Sequence, residues 1–250
     1  MRTIRKRLAP TALAAALAAA AGGAQAEISG NVTLATDYRF RGVSQTDRQM
    51  ALQGGLDWSH ASGFYVGTWA SNVDSNFFSG TSTDPQLEWD LYVGYSGEIG
   101  GLGYDVGIIR YVYPGYDDAN TTEIHVGVSY GVSDSVSVGA DLYYSPELGF
   151  VGSNDSAWYF VVSGEVALPQ GFTLSASVGR SFGEAFDGAD SDPDTDYDAY
   201  TDWSIGISKD VAGVTLGLSW IGTSSDAEST TLGFGGVAED TFVFSVSKSM

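Results

Sequence analysis

The chain has 250 residues, a formal net charge of −20, 33 glycines and no cysteine. Such acidity excludes a nucleic-acid binder, which needs a basic face, and the lack of cysteine excludes disulfide scaffolds and Cys-ligated metal centres. A mean hydropathy of −0.02 argues against a helical membrane protein, whose spans need ~20 mostly apolar residues each, while 43% hydrophobic residues argue against disorder.

Arg2, Arg5, Lys6 and Arg7 precede an Ala- and Leu-rich run and the small-residue site Ala24-Gln25-Ala26, which together predict a secretory signal peptide over residues 1–26. Cleavage before Glu27 deepens the net charge to −24. Residues 27–250 then form a single barrel domain.

From Ile28 onward the hydrophobic period is two, with no extended helical stretch. The even series from Ile28 is expected to run on through Tyr38 and Phe40. Similar alternation recurs over 50–58, 64–71, 87–95, 104–108, 124–130, 136–144, 158–166, 172–178, 203–207, 214–220 and 242–246. This predicts an all-β fold, a closed antiparallel transmembrane β-barrel of roughly twelve strands of about ten residues each. Short turns near 59–63, 97–101, 131–135, 168–171 and 209–213 alternate with long loops, as expected for short periplasmic turns and long outer loops. The last strand would close on the first, because lipid cannot satisfy an open edge.

The apolar-face aromatics fall in two bands. Trp58, Phe64, Tyr95, Tyr104, Tyr130 and Phe172 lie toward the short turns, and Phe40, Trp89, Tyr144, Trp158, Phe182, Trp203 and Trp220 toward the long loops. These are expected as membrane-interface girdles. The opposite face predicts a lumen lined by Asp37, Arg39, Arg41, Asp57, Glu88, Asp90, Asp105, Glu123, His125, Asp141, Glu165 and Asp202. Carboxylates in a pore favour cations, and Arg39 and Arg41 are expected to neutralise neighbouring acids. Arg110 falls on the lipid face, which predicts a place near the outer interface or a bulge turning it inward.

Thr36–Gln45, Gly63–Asn72, Leu87–Tyr95 and Tyr111–Gly115 together resemble the motif blocks of the TorF-family porins, across nearly the whole of residues 27–250. The resemblance implies a Gram-negative outer-membrane barrel. The chain departs from many such barrels in carrying Met250 rather than Phe at its last position.

The leading expectation is a cation-preferring channel for passive diffusion of small polar or cationic solutes, not an enzyme. Partners would be outer-membrane lipid, lipopolysaccharide and the barrel-assembly machinery; no cofactor is expected. An alternative is a non-conducting, plugged structural or adhesion barrel, favoured by the inward tyrosines Tyr65, Tyr92, Tyr111, Tyr143 and Tyr159. A third is a barrel hydrolase using His125 with Glu123 and Ser129, and a fourth a soluble periplasmic barrel. The acidic run holding Asp190, Asp192, Asp194 and Asp196 offers clustered oxygen ligands for a hard cation, although it lacks the EF-hand pattern.

Overall fold

A computed structural model describes residues 26–74, 85–149, 153–186, 199–224, 227 and 235–250. The expected signal peptide and the acidic run from Asp187 to Asp198 lie outside the described residues.

Period-two segments pair into twelve barrel strands. In chain order these are β1 (Glu27–Ala35), β4 (Ala51–Ser59), β5 (Phe64–Asn72), β6 (Leu87–Ile99), β7 (Leu102–Val112), β8 (Thr121–Gly131), β9 (Val136–Ser145), β10 (Ala157–Ala167), β11 (Phe172–Phe182), β12 (Tyr200–Val211), β13 (Val214–Thr223) and β14 (Thr241–Ser249). Each pairs antiparallel with its neighbours, and β14 closes on β1 with Leu34 opposite Val246. Closure leaves no edge of unpaired backbone groups, which a hydrocarbon surround requires. Two further short strands, β2 (Arg39–Phe40) and β3 (Val43–Ser44), pair only with each other.

The radial order is inverted relative to a water-soluble barrel. Leu52, Val93 and Phe244 are 62%, 50% and 46% exposed on the outside, while Glu123 and Asp90 are fully buried inside. A continuous apolar exterior of this extent belongs in lipid. Aromatic rings stand outward at both ends of the strands. Phe64, Tyr95 and Tyr104 form a chain at the short-turn end, with centroids 5.1 and 6.2 Å apart. Tyr144–Trp158 at 4.5 Å and Trp203–Trp220 at 4.3 Å mark the long-loop end.

The short turns follow from local chemistry. Between β12 and β13, Val211 pairs with Val214 across Ala212-Gly213, whose φ values are +53° and +84°. Positive φ at both central residues is the type I′ pattern, which matches strand twist and favours Asn-Gly. Alanine in the left-handed region is strained by ~1–2 kcal/mol. Ala212→Asn is therefore expected to stabilise the barrel by about 0.5–1 kcal/mol, read as a higher urea midpoint; a lower midpoint would contradict the strain.

The first long connection departs from the expected layout. β1 ends at Ala35; after Thr36, which still bonds to Phe244 on β14, residues 37–47 turn into the barrel rather than extending its wall, and Arg48, Gln49 and Met50 are exposed again. β2 and β3 form a hairpin at the tip of this inward segment, turning at Arg41-Gly42 with φ of +49° and +83°. Tyr38 and Phe40 pack with Ile109, Tyr111 and Tyr113, whereas Val43 packs with Leu148, Ala157, Phe186 and Tyr200. The hairpin thus carries an apolar face toward each side of the lumen.

A candidate solute path with a latched plug

The inward segment is fastened at its base. Asp37 accepts hydrogen bonds from Arg39 Nε at 2.6 Å, Ser44 Oγ at 2.5 Å and Thr46 Oγ1 at 3.0 Å. Arg39 Nη1 also donates to the carbonyls of Val237 and Glu239, at 2.7 and 3.0 Å, on the connection leading into β14. Asp37 and Arg39 are therefore buried in the lumen, on the plug rather than on a wall strand.

The tip reaches the opposite wall. Arg41 Nη2 donates to both oxygens of Glu123 on β8, each at 2.8 Å. Its guanidinium also lies over the rings of Tyr159, Phe40 and Tyr143, at 4.2, 4.7 and 5.5 Å from their centroids. Glu123 further accepts from Tyr111 and Ser145. Gly42 fits because it has no Cβ: one would strike Thr223 Cγ2, with Asp202 Cβ close behind. Phe40, expected in the outer girdle, instead stands inside the lumen with its ring 5.8 Å from Tyr111. The strand it was expected to extend has already ended at Ala35.

Glu88 lies beneath the plug, accepting from Tyr38 and Tyr113, each at 2.7 Å. Burial first, and then the neighbouring Glu88 and Asp90 carboxyls, pushes both of these hydroxyls, which lie outside the strands, well above their ordinary pKa, so they remain donors. Asp90 is fully buried, and among the described residues neither of its carboxylate oxygens has a hydrogen-bond partner. Asp202 is buried beside Tyr159, which donates to it at 3.0 Å.

Toward the short turns the lumen-facing side chains are partly exposed. Asp57, Asp105, His125, Asp141 and Glu165 all face inward here. Tyr92 donates to Asp57 at 2.5 Å and Tyr65 to Asp105 at 2.8 Å. Glycines share this face, and the structure supplies their purpose. Tyr65 pairs across with Gly94 and Tyr92 with Gly67, and a Cβ at either glycine would collide with the tyrosine ring. Each ring lies over the bare backbone of the next strand, so it lines the wall instead of crossing the lumen.

The two halves of this vestibule differ. Asp57, Asp105, Asp141 and Glu165 stand on β4, β7, β9 and β10, whereas β11–β14 contribute Ser175, Ser177, Ser204, Ser219 and Ser245. Ser177 and Ser204 hydrogen-bond across at 2.8 Å. Carboxylates on one wall and neutral hydroxyls on the other give the path a transverse field.

His125 does not assemble a hydrolytic site with Ser129. Its Nε2 lies 2.9 Å from Asp105 Oδ1, its ring stacks on Tyr143 at 5.3 Å, and among the described residues its Nδ1 has no partner. Among the described residues no cluster of three or more His, Asp or Glu side chains has metal-holding geometry. The pattern missed the plug itself. Its signal was the composition of residues 37–47, which mix Tyr, Phe and Val with turn residues where a mobile outer loop would carry mostly Ser and Gly.

An apolar-outside, polar-inside closed sheet with outward aromatic bands defines a transmembrane β-barrel of the porin kind. Its fold is similar to that of the NanC porin, with a TM-score of 0.56 at 9% identity over 88% of this chain and 98% of the other. The KdgM porin gives 0.55 at 8% identity, covering 88% and 97%. The COG4313 outer membrane channel from Pseudomonas putida F1 gives 0.51 at 12%, covering 91% and 94%. Residues 18–250 match the family described as bacterial protein of unknown function (Gcw_chp), and the chain belongs to that family. No curated protein matches its sequence.

Proposed function

We propose that this protein is an outer-membrane channel for small solutes, cation-preferring, whose width is set by the inward segment 37–47. The observation that carries this reading is the acid-lined, partly open vestibule inside a lipid-facing barrel. Carboxylates along a narrow path raise the local cation concentration and repel anions. One solved relative in fold is titled as the KdgM porin in complex with disordered oligogalacturonate, an anionic sugar polymer. The excess of lumen carboxyls here would disfavour such a ligand and favours cationic or neutral polar solutes. The motif resemblance to TorF-family porins and the expected signal peptide, cut before Glu27, support export to the outer membrane.

The test is a planar-bilayer recording of the purified protein under a salt gradient. Stepwise conductance with a reversal potential of cation sign is expected; an anion-selective current would overturn the preference, and no conductance the channel. A second reading, a non-conducting structural or adhesion barrel, is favoured by the burial of Asp37, Arg39, Glu88, Asp90 and Glu123 at the plug. It predicts silence in the same recording.

A further inference from the structure

Residues 27–250 contain seven basic side chains, among 31 acidic ones. Arg39, Arg41 and Arg48 pair with Asp37, Glu123 and Glu239. Lys209 caps the Phe172 ring at 4.4 Å near the short turns, and Lys248 stands exposed singly near the end of β14. Arg110 and Arg180 are arranged differently, and they are arranged alike.

Arg110 lies two residues before the long-loop end of β7, and Arg180 two residues before the long-loop end of β11. Both are exposed on the outside of the barrel. The register is continuous through both positions, so no bulge turns either one inward. Each donates Nη1 to the hydroxyl of the threonine directly opposite on the following strand: Arg110 to Thr122 at 2.8 Å, Arg180 to Thr201 at 3.0 Å. Among the described residues neither forms an ion pair.

An outward arginine near the membrane midplane costs ~2–4 kcal/mol, and only about 0–1 near an interface. Placement near the strand ends removes most of that penalty, yet leaves two cations without counter-charge at the edge of lipid. Guanidinium forks match phosphate oxygens bidentately. Here the threonine occupies one N–H and steadies the fork, leaving the remaining donors for a ligand. We propose that Arg110 with Thr122 and Arg180 with Thr201 are two binding sites for the phosphate-bearing headgroup of a membrane lipid at the long-loop end. The outward aromatic band at the same end, including Trp158 and Trp203, makes a lipid the source rather than free phosphate. This inference rests on the membrane placement of the barrel and is independent of conduction.

The test titrates the detergent-purified protein with lipids by native mass spectrometry. The probes are bisphosphorylated lipid A, its dephosphorylated form, phosphatidylglycerol and inorganic phosphate. Wild type should retain up to two copies of a phosphorylated lipid, each single variant R110Q or R180Q one, and the double variant should bind at least about tenfold more weakly, the loss of one charge-assisted contact of ~1.5 kcal/mol. Whichever phosphorylated lipid saturates the sites identifies the natural source. Equal binding of the dephosphorylated lipid, equally tight inorganic phosphate, or an unaffected double variant would overturn the proposal. R110K/R180K keeps charge without the fork and should bind between wild type and the glutamine pair, which keeps the question decidable if the glutamine variants misfold. A heat-modifiable gel band reports the barrel separately, so failure of the membrane placement is distinguishable from failure of the sites.

Discussion

Arg41→Ala should open the barrel: single-channel conductance is expected to rise severalfold, with an additional flickering state. Arg41 joins the plug tip to Glu123 on the far wall and is caged by three rings. Breaking a buried ion pair costs roughly 3–5 kcal/mol, because the remaining partner is left buried and charged. Here the uncompensated Glu123 can be hydrated only if the plug leaves, so the penalty is directed at the plugged state. Asp90, buried without a hydrogen-bond partner among the described residues, would gain water in the same movement. At 1.4 kcal/mol per tenfold, about 3 kcal/mol shifts the plugged-to-open ratio on the order of a hundredfold. Glu123→Gln should act in the same direction, and the double variant should be less open than the sum of the two, since neither partner then stays charged and buried. The backbone adds to the case. Arg41 sits at positive φ, where arginine is disfavoured, so the turn holds it at a local cost that its contacts offset. Identical conductance and noise in wild type and Arg41→Ala would sink the latch.

Much of the fold was legible because the period of two is a direct consequence of the pleat. Leu87, Trp89, Leu91, Val93 and Tyr95 alternate with Glu88, Asp90, Tyr92 and Gly94, and no element other than a two-faced strand uses that pattern. Alternation of short and long connections then fixed an even, closed count. The same rule hid the plug. Tyr38 and Phe40 continue the alternation of β1, and periodicity carries no information on whether a segment stays in the wall or folds back as a hairpin. What differs is the far side: Asp37, Ser44 and Thr46 form a bonded turn base, and Arg41-Gly42 is a hairpin turn. Lumen residues were found by parity alone, so Asp57 and Glu123 carried equal weight, although one is partly open and the other sealed under the plug. Depth along the lumen depends on which loop folds inward, and that is a tertiary fact.

The difference in depth gives the second large expected effect. Replacing Asp57, Asp105 and Asp141 together by asparagine should reduce the cation-to-anion permeability ratio, while Glu88→Gln should leave it unchanged as long as the plug stays seated. A carboxylate ~4 Å from a passing ion contributes about 1 kcal/mol even in bulk water, roughly a fivefold bias, and three along one wall act on the same path. Asparagine keeps an acceptor for the Tyr92 and Tyr65 hydroxyls, so the wall geometry is retained while the charge is lost. Screening supplies a further check, because the Debye length falls from ~10 Å at 0.1 M salt to ~3 Å at 1 M. The gap between wild type and the triple variant should be wide in dilute salt and narrow in concentrated salt. A reversal potential that is the same in both proteins at 0.1 M would remove the acidic wall as the origin of selectivity.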